Sequence, residues 1–302
     1  MKFSAIIPCY NHQDYIQASL LSVARQSIPP REVIVVNDAS TDASVERIAA
    51  SGLDVKLIHT GGLGGAGARN AGVRIAQGDW LAFLDADDIW YENHLLRARD
   101  LISQHDAEGY INHYDRVSLE GETLKRRVGK IDSVVVGFGL EQYLDLYRKY
   151  GNFVGMSACV VSRHATLEIG GLDETQTRRH DIEFWLRIVR DRRWVFDPVA
   201  SSAYRCDNPN GLSSQKANAE LHRFVAFLKQ KEAAQGSTSF SPLLKSLAKS
   251  TLSKSYHFGD REDQLRAHRV AYEFLGRGDM VLFWMANRSP VIRDILKAKR
   301  WI

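Results

Sequence analysis

The first 90 residues of the chain alternate short apolar runs with segments of helical spacing. Buried parallel strands are continuous β-branched runs, whereas a helix that covers a sheet repeats its apolar residues about every 3.6 positions. One such helical segment carries Ile16, Leu20, Leu21 and Val23. The alternation predicts an α/β fold in which helices cover both faces of a Rossmann-like, mostly parallel central sheet. The successive segments are FSAIIP, DYIQASLLSVARQ, EVIVVND, TDASVERIAAS, VKLIHT, ARNAGVRIAQ and WLAFLD.

Beyond residue 106 the pattern is weaker. Residues 107–160 mix polar and glycine-containing stretches, and within them only LEQYLDLYRKY predicts a helix. The segment HDIEFWLRIVR predicts a further helix because its apolar residues share one face. WVFDPVASSAYRC predicts a closing strand. We expect the shared apolar face in the core; its residues are Ile182, Trp185, Leu186 and Val189.

Polar or acidic residues follow three of the predicted strands. Tyr10 and Asn11 follow the first strand, Asn37 and Asp38 end the second, and residues 85–88 follow the fourth. Ligands of open α/β sheets sit just beyond the carboxyl ends of the strands. We therefore expect these side chains to converge on one crevice.

The fourth strand ends in three carboxylates within four positions, Asp85, Asp87 and Asp88. Like charges this close repel one another unless a cation lies between them. An acid-rich helix start is the structural alternative, since carboxylates favour helix N-termini. Three acids exceed what a cap needs, so the cluster favours a bound divalent cation.

Composition limits the class of protein. The 302 residues are 44% hydrophobic and 25% charged, which is typical of a globular chain with either one large domain or one domain plus a smaller appendage. The three cysteines are far apart and form no CxxC pair, which argues against a disulfide framework and a structural zinc site. No apolar run approaches the roughly 18 residues that cross a bilayer. These features predict a cytoplasmic protein.

The C-terminal region is basic. From residue 215 to the end, 16 Lys and Arg face 8 Asp and Glu, so this region carries +8 and the remainder −4. Its segments predict mostly helices. Two interpretations stay open: an amphipathic helical subdomain that packs on the body, with a homodimer contact, or peripheral contact with an anionic membrane at its inner face.

A glycine-rich segment suggests a different function. Gly62, Gly64 and Gly67 have the spacing of a dinucleotide fingerprint, and Asp85 follows Gly62 by 23 positions. Such a fingerprint normally lies in the first strand-turn-helix unit, whereas two units precede this one. A flexible loop is the structural alternative.

Five motifs in order resemble the inverting nucleotide-sugar glycosyltransferases of family 2, which have the GT-A fold. The resemblance covers about residues 3–214. The chain departs from the family at Asn37 and Ala39, where a Val-Asp-Asp-Gly-Ser stretch is usual, and at His180, where Glu precedes the Asp. The motifs are IIPCYN, VVNDASTD, FLDADD, GGLDE and HDIEFWLR.

The resemblance implies contacts to a nucleotide-sugar donor. Asp38 is expected to accept from the uracil N–H, with the Tyr10 region beside the base, which favours UDP. Asp85 is expected to accept from the ribose, Arg69 to reach the base or diphosphate, and Arg205 to lie near the diphosphate in a closing loop. Arg69 as a surface charge and Arg205 in a plain surface loop are the alternatives. The full expected set is Pro8, Tyr10, Asn11, Asp38, Gly67, Arg69, Asp85, Ala86 and Arg205.

A divalent cation, Mn²⁺ or Mg²⁺, is expected beside the diphosphate, because a hard dication stabilises the charge of that leaving group. Asp87 is the expected metal ligand. Asp85, Asp88 and His180 are further candidates, and Asp88 alternatively caps the next helix.

Asp181 is the expected general base. Inverting transfer is a single in-line displacement, and a carboxylate within reach can accept the proton of the acceptor hydroxyl. His180 has three open roles: binding the metal or the diphosphate, orienting the acceptor, or standing exposed at the helix start.

The sequence thus predicts a metal-dependent inverting glycosyltransferase that moves a sugar from a UDP-sugar to a glycan or lipid-linked acceptor, as in polysaccharide biosynthesis. A GT-A catalytic domain is expected over 1–214, with a nucleotide-binding half, 1–106, an acceptor-binding half, 107–214, and a basic helical region over 215–302. The other hypotheses are an NAD-dependent dehydrogenase and a non-catalytic module that binds sugar nucleotides or nucleic acid. We expect no nucleic-acid partner.

Overall fold

The structure is a computed structural model, and it describes residues 1–118, 122–124, 131–150, 153–176, 179–190 and 192–206. The predicted basic helices of 215–302 lie outside the described residues. Within the described ranges, no helix is long and apolar enough to cross a membrane.

The elements of the N-terminal half follow the predicted order. They are β1 (Phe3–Cys9), α1 (Ile16–Ala24), β2 (Glu32–Asp38), α2 (Ser44–Ala49), β3 (Lys56–Thr60), α3 (Gly64–Ile75) and β4 (Trp80–Phe83). The later elements are β5 (Ile89–Trp90), α4 (His94–His105), β6 (Gly109–Val117), β7 (Thr123–Leu124), β8 (Val135–Phe138), α5 (Leu140–Tyr150), β9 (Cys159–Ser162), α6 (Arg163–Glu168), α7 (His180–Ile188) and β10 (Trp194–Arg205).

One sheet runs through the described structure in the order β3-β2-β1-β4-β9-β6-β10-β5. The strands β3, β2, β1 and β4 are parallel to one another, and β10 is parallel to β6. The strand β9 is antiparallel to both of its neighbours, β4 and β6. The predicted α/β class is confirmed. Because the chain continues from β1 to β2 on one side and returns to β4 on the other, a crevice opens at the carboxyl end of β1.

The helices bury the predicted faces with one exception. Ile16, Leu20 and Val23 of α1 are buried, but Leu21 is 45% exposed, so its assignment to the core was wrong. Adjacent helical residues point about 100° apart, so Leu21 turns away when Leu20 faces the sheet. The apolar face predicted for α7 is buried throughout, including Trp185 and Leu186.

A buried polar network joins α4 to β6 and β10. Arg97 donates to both carboxylate oxygens of Asp197, at 2.6 and 2.8 Å, and the Tyr110 hydroxyl donates to the same carboxylate at 3.0 Å. The Ser201 hydroxyl lies 3.1 Å from that of Tyr110 and 3.0 Å from His94 Nδ1. These contacts fix β10, the strand that ends at the candidate site.

His94 should make the stability of the protein depend on pH. Its ring is fully buried and stacks on Trp90, and burial lowers its pKa to about 3, whereas the unfolded chain retains about 6.5. The unfolded state therefore binds the extra proton, and this contribution to stability is lost as the pH falls below 6.5. We expect His94→Asn to remove about 2 kcal/mol of the loss in unfolding free energy between pH 7 and pH 5. Urea unfolding at both pH values tests this, and equal losses in the two proteins would contradict it.

Candidate active site

The turns that follow β1 and β2 are joined to each other. The Asn11 amide donates to Ser40 Oγ at 3.0 Å, and Asn11 Oδ1 accepts from the Thr41 amide at 2.8 Å. Pro8 is half-buried within β1, whereas Tyr10 is 56% exposed just beyond its end. An exposed aromatic ring therefore stands at the rim of the crevice.

Asp38 anchors the glycine-rich segment. Its buried carboxylate accepts hydrogen bonds from the Thr60 hydroxyl (2.6 Å) and from the amides of Gly62 (3.0 Å), Leu63 (2.7 Å) and Gly64 (2.7 Å). The segment is thus not a flexible loop, because its amides are held and α3 begins within it, at Gly64. The contact of Asp38 with a base stays a prediction.

Asn37 and Ala39, the two residues near Asp38 that depart from the family pattern, still form the turn after β2. Ala39 has φ 61°, a left-handed conformation that Gly adopts without a Cβ clash, which explains the glycine of the family pattern. Asn37 Oδ1 accepts from the Ser40 amide at 3.3 Å, and its amide group lies 3.1 Å from His59 Nδ1.

Arg69 brings two of the predicted residues together. Its guanidinium is buried, donates from Nη2 to Asp85 Oδ1, and approaches His180 Nε2 to 3.1 Å through Nη1. Arg69 is therefore not a surface charge, and His180, 6% exposed, does not stand exposed at the helix start. One side chain connects the end of β4 with the start of α7.

The other acids of the cluster have different surroundings. Asp88 is buried and accepts from Ser157 Oγ at 2.6 Å and from the Arg205 amide at 3.0 Å. Burial, and then the charges of Asp87 and Asp85, raise its pKa well above the ordinary value. The capping alternative for Asp88 is wrong, because the next helix, α4, begins only at His94. Asp88 instead joins β4 to the end of β10.

Asp87 keeps contact with solvent. Its side chain is 16% exposed, and its Oδ2 lies 3.9 Å from Nε2 of His12 in the turn after β1. Ala86 is buried, and its carbonyl lies 2.7 Å from the Ser19 hydroxyl. The same hydroxyl lies 2.6 Å from the Asp88 carbonyl, so the main chain is fixed on either side of Asp87.

Asp181 lies in the first turn of α7. Its side chain is half-buried, and none of the described residues donates a hydrogen bond to its carboxylate. Arg179, two residues before Asp181, has a left-handed backbone conformation with φ 59°. A carboxylate without such donors remains available to accept a proton.

The GGLDE motif holds α7 against α3. The Asn70 side chain donates to the Leu172 carbonyl at 2.8 Å and accepts from the Leu172 amide at 2.9 Å. Arg187 of α7 donates to the Gly171 carbonyl at 2.7 Å. The motif therefore contributes to the site by placing α7, the helix that carries Asp181.

Comparison with known proteins identifies the family. The sequence model described as "Glycosyl transferase family 2" matches residues 4–168, which is more than half of the chain. The chain belongs to glycosyltransferase family 2. An uncharacterized glycosyltransferase of Haemophilus influenzae is 36% identical over 237 residues, which cover 76% of this chain and 88% of that protein. Membership of this family makes the dehydrogenase interpretation of the glycines wrong.

Relatives with more specific names are similar to this glycosyltransferase over shorter stretches. The amylovoran biosynthesis glycosyltransferase AmsB of Erwinia amylovora is 33% identical over 62% of this chain, and the match covers only 64% of AmsB. The putative teichuronic acid biosynthesis glycosyltransferase TuaG of Bacillus subtilis is 28% identical over 70% of the chain and 82% of its own length. The crystal structure of S. aureus TarS 1-349 with UDP-GlcNAc has a TM-score of 0.70 at 18% identity, and the match covers 91% of this chain and 80% of the TarS 1-349 chain. This likeness confirms the GT-A fold.

Gly67 and Arg205, two of the residues predicted to bind the donor, are buried. A Cβ at Gly67 would lie 2.6 Å from Leu63 Cβ, so only glycine fits there. Arg205 is 7% exposed, and its guanidinium lies 5.0 Å from the centroid of the Tyr15 ring. Residues 207–214 of the predicted closing loop lie outside the described residues.

Sequence reasoning missed two contributors. Ser157 accepts from the Asp85 amide at 2.9 Å while it donates to Asp88, so one hydroxyl orders both acids. It lies in the unpatterned 107–160 region and has no sequence signal. His12 does have a signal, since it directly follows the Tyr10-Asn11 turn.

The donor set of the site suits a hard cation that is bound in part by substrate. Among the described residues, no group of three or more His, Cys, Asp or Glu side chains is arranged to hold a metal ion. Of the three clustered acids, Asp85 and Asp87 retain exposure, 31% and 16%. One or two carboxylates are what Mg²⁺ and Mn²⁺ use when substrate phosphates complete the coordination. Asp88 and His180 are engaged elsewhere, which favours Asp87 as a ligand.

Proposed function

We propose that this glycosyltransferase transfers a sugar from a nucleotide diphosphate, UDP in the first instance, to an acceptor hydroxyl with inversion at the sugar C1. The observation that carries the proposal is the Arg69 bridge, which brings Asp85 and the helix start with Asp181 into one crevice. The UDP-GlcNAc and UDP complexes of TarS support UDP as the nucleotide.

The donor would lie across the carboxyl ends of β1, β2 and β4. The exposed Tyr10 ring offers a face for a base, and Asp85 retains an exposed carboxylate edge for ribose hydroxyls. Arg69 neutralises part of the negative charge of the acids next to the diphosphate.

Asp87, with Asp85, would hold the Mn²⁺ or Mg²⁺ ion. The bound ion would supply charge stabilisation for the departing diphosphate. The protein contributes the fixed position of the Asp87 main chain, and the Ser19 and Ser157 hydroxyls maintain that position from either side of the strand end.

Asp181 would accept the proton of the acceptor hydroxyl. In a single displacement the proton leaves as the new glycosidic bond forms, and the bond to the diphosphate breaks on the opposite face. General-base catalysis of this kind contributes about 10²- to 10⁴-fold. The side chain of Asp181 is half-buried, so part of it stays accessible to an acceptor.

The acceptor would be a glycan or a lipid-linked saccharide, as the names of AmsB and TuaG suggest for polysaccharide biosynthesis. A cytoplasmic site of action stays part of the proposal, with the basic 215–302 region either packed on the body or in peripheral contact with the membrane. So do the homodimer contact and the domain boundaries.

A thermal-shift panel tests the donor class. We expect UDP or UDP-GlcNAc with Mn²⁺ at about 100 times its Kd to stabilise the protein by about 2.7 kcal/mol, a rise of several degrees in Tm. Either ligand without Mn²⁺ should give less. GDP, dTDP and CMP sugars and NADH serve as controls. A rise with one of these controls, and none with UDP and Mn²⁺, would overturn the choice of UDP.

A further inference from the structure

The buried contact between Arg69 and His180 defines the state of the imidazole. Arg69 Nη1 donates to the Gly65 carbonyl at 2.9 Å and lies 3.1 Å from His180 Nε2. A guanidinium has donors and no acceptor, so Nε2 must accept this hydrogen bond. The imidazole proton then resides on Nδ1. His180 therefore serves Arg69 as a neutral acceptor, where a Glu of the family pattern would bring a second negative charge.

The first turn of α7 needs such an anchor. Arg179 precedes it with φ 59°, a left-handed conformation that is costly for a residue with a Cβ, and no described side chain caps the turn. Asp181 depends on that turn for its position, because no described residue donates a hydrogen bond to its carboxylate. The His180 contact with Arg69 is what joins this turn to the acid at the end of β4.

Gly65 provides the space for the contact. A Cβ at this position would lie 3.0 Å from Arg69 Nη1 and 3.2 Å from His180 Cε1. Few Cβ atoms lie this close to a neighbour, so a side chain here would push the two partners apart by a few tenths of an ångström. The glycine-rich segment thus has a function beyond its amide contacts with Asp38.

We infer that His180 is a positioning residue for transfer. As a neutral acceptor for Arg69, it fixes the Asp181 carboxylate relative to the donor-side carboxylate of Asp85, and Gly65 makes the contact possible. The inference rests on the proposed role of Asp181 as the base. It assigns His180 neither to the metal nor to the diphosphate.

The test compares three substitutions of His180. Gln can place its amide oxygen near the former Nε2, whereas Asn reaches only the former Nδ1 and Ala reaches neither. Displacement of a catalytic base, or loss of a residue that orients it, lowers activity by about 10- to 100-fold. We therefore expect His180→Ala and His180→Asn to lower kcat for UDP release from UDP-GlcNAc with Mn²⁺ by about that factor. We expect His180→Gln to recover most of the loss.

Binding of UDP with Mn²⁺, measured by calorimetry, separates positioning from ligation. The Kd should stay within about twofold of wild type in all three variants. A tenfold weaker Kd in His180→Ala would make His180 a ligand of the metal or diphosphate and would overturn the inference. Full activity of His180→Ala, or failure of Gln to exceed Asn, would overturn it as well.

Hydrogen exchange gives a second readout that needs no donor sugar. The Glu183 amide donates to the Arg179 carbonyl at 3.0 Å and reports on the first turn. Its exchange should accelerate at least tenfold in His180→Ala and return toward the wild-type rate in His180→Gln. If wild type neither binds UDP nor releases it from UDP-GlcNAc, the proposed donor fails, while this exchange pattern still decides the positioning role.

Gly65→Ala and Gly61→Ala form a matched pair. A Cβ at Gly61 meets nothing within 4 Å, so this variant should keep wild-type kcat. Gly65→Ala should lower kcat severalfold and accelerate exchange of the Glu183 amide. Equal behaviour of the two variants would show that the space at Gly65 is not needed.

Discussion

Asp181→Asn is expected to lower kcat by about 10³-fold, while UDP binding and the folded structure are retained. The amide has nearly the shape of the carboxylate but cannot accept a proton at neutral pH, so only general-base catalysis is removed. Since no described residue donates a hydrogen bond to the Asp181 carboxylate, the change should leave no buried donor without a partner. The measurement is UDP release from UDP-GlcNAc under saturating donor, with Kd for UDP determined in parallel.

Asp100→Asn is the matched control for that variant. Asp100 lies in α4, pairs with Arg99, and its side chain is 56% exposed. Surface acids of this kind contribute little to stability, so kcat should be unchanged. If Asp181→Asn kept more than about a tenth of wild-type activity, the base would have to be another residue, even if UDP binding still supported a glycosyltransferase of UDP-sugars.

The parallel part of the sheet was predictable because its determinants are local. β1, β2 and β4 contain continuous apolar runs, and β1, β2 and β3 are each followed by a helix, so segment order alone indicated the fold. β9 was missed because its place depends on partners remote in sequence: Val161 pairs with Leu81 in β4 and with Gly109 in β6. No local period marks a short antiparallel strand that is inserted between two others.

The candidate site divides in the same way. Its acids, Asp38, Asp85 and Asp181, could be selected from the sequence because strand ends and helix starts are recognisable. The contacts between site residues could not, because Arg69 and His180 are 111 positions apart and the Asp88 contacts span 69 and 117 positions. Contacts between residues this far apart leave no periodic pattern in the sequence. The neutral state of His180 and the burial of Asp88 therefore became evident only in the folded chain.

Asp38→Asn is expected to lower the free energy of unfolding by about 2 to 3 kcal/mol in the absence of any nucleotide. The carboxylate accepts four hydrogen bonds, three of them from the amides of residues 62–64. An amide side chain keeps one acceptor oxygen and turns its NH₂ group toward the Gly64 amide, so two donors face each other in a partly buried contact. Urea unfolding of the nucleotide-free protein measures the loss.

Thr60→Val supplies the comparison, because it removes one of the four donors and leaves the three amides bound to the carboxylate. We expect it to cost about 1 kcal/mol. The two variants together separate the anchoring role of Asp38 from direct contact with a base. If Asp38 is an anchor, its substitution must destabilise the protein before any ligand is added. The substitution should also weaken UDP binding, because α3 carries Arg69 into the crevice. An Asp38→Asn protein as stable as wild type that fails to bind UDP would instead assign the carboxylate to the nucleotide itself.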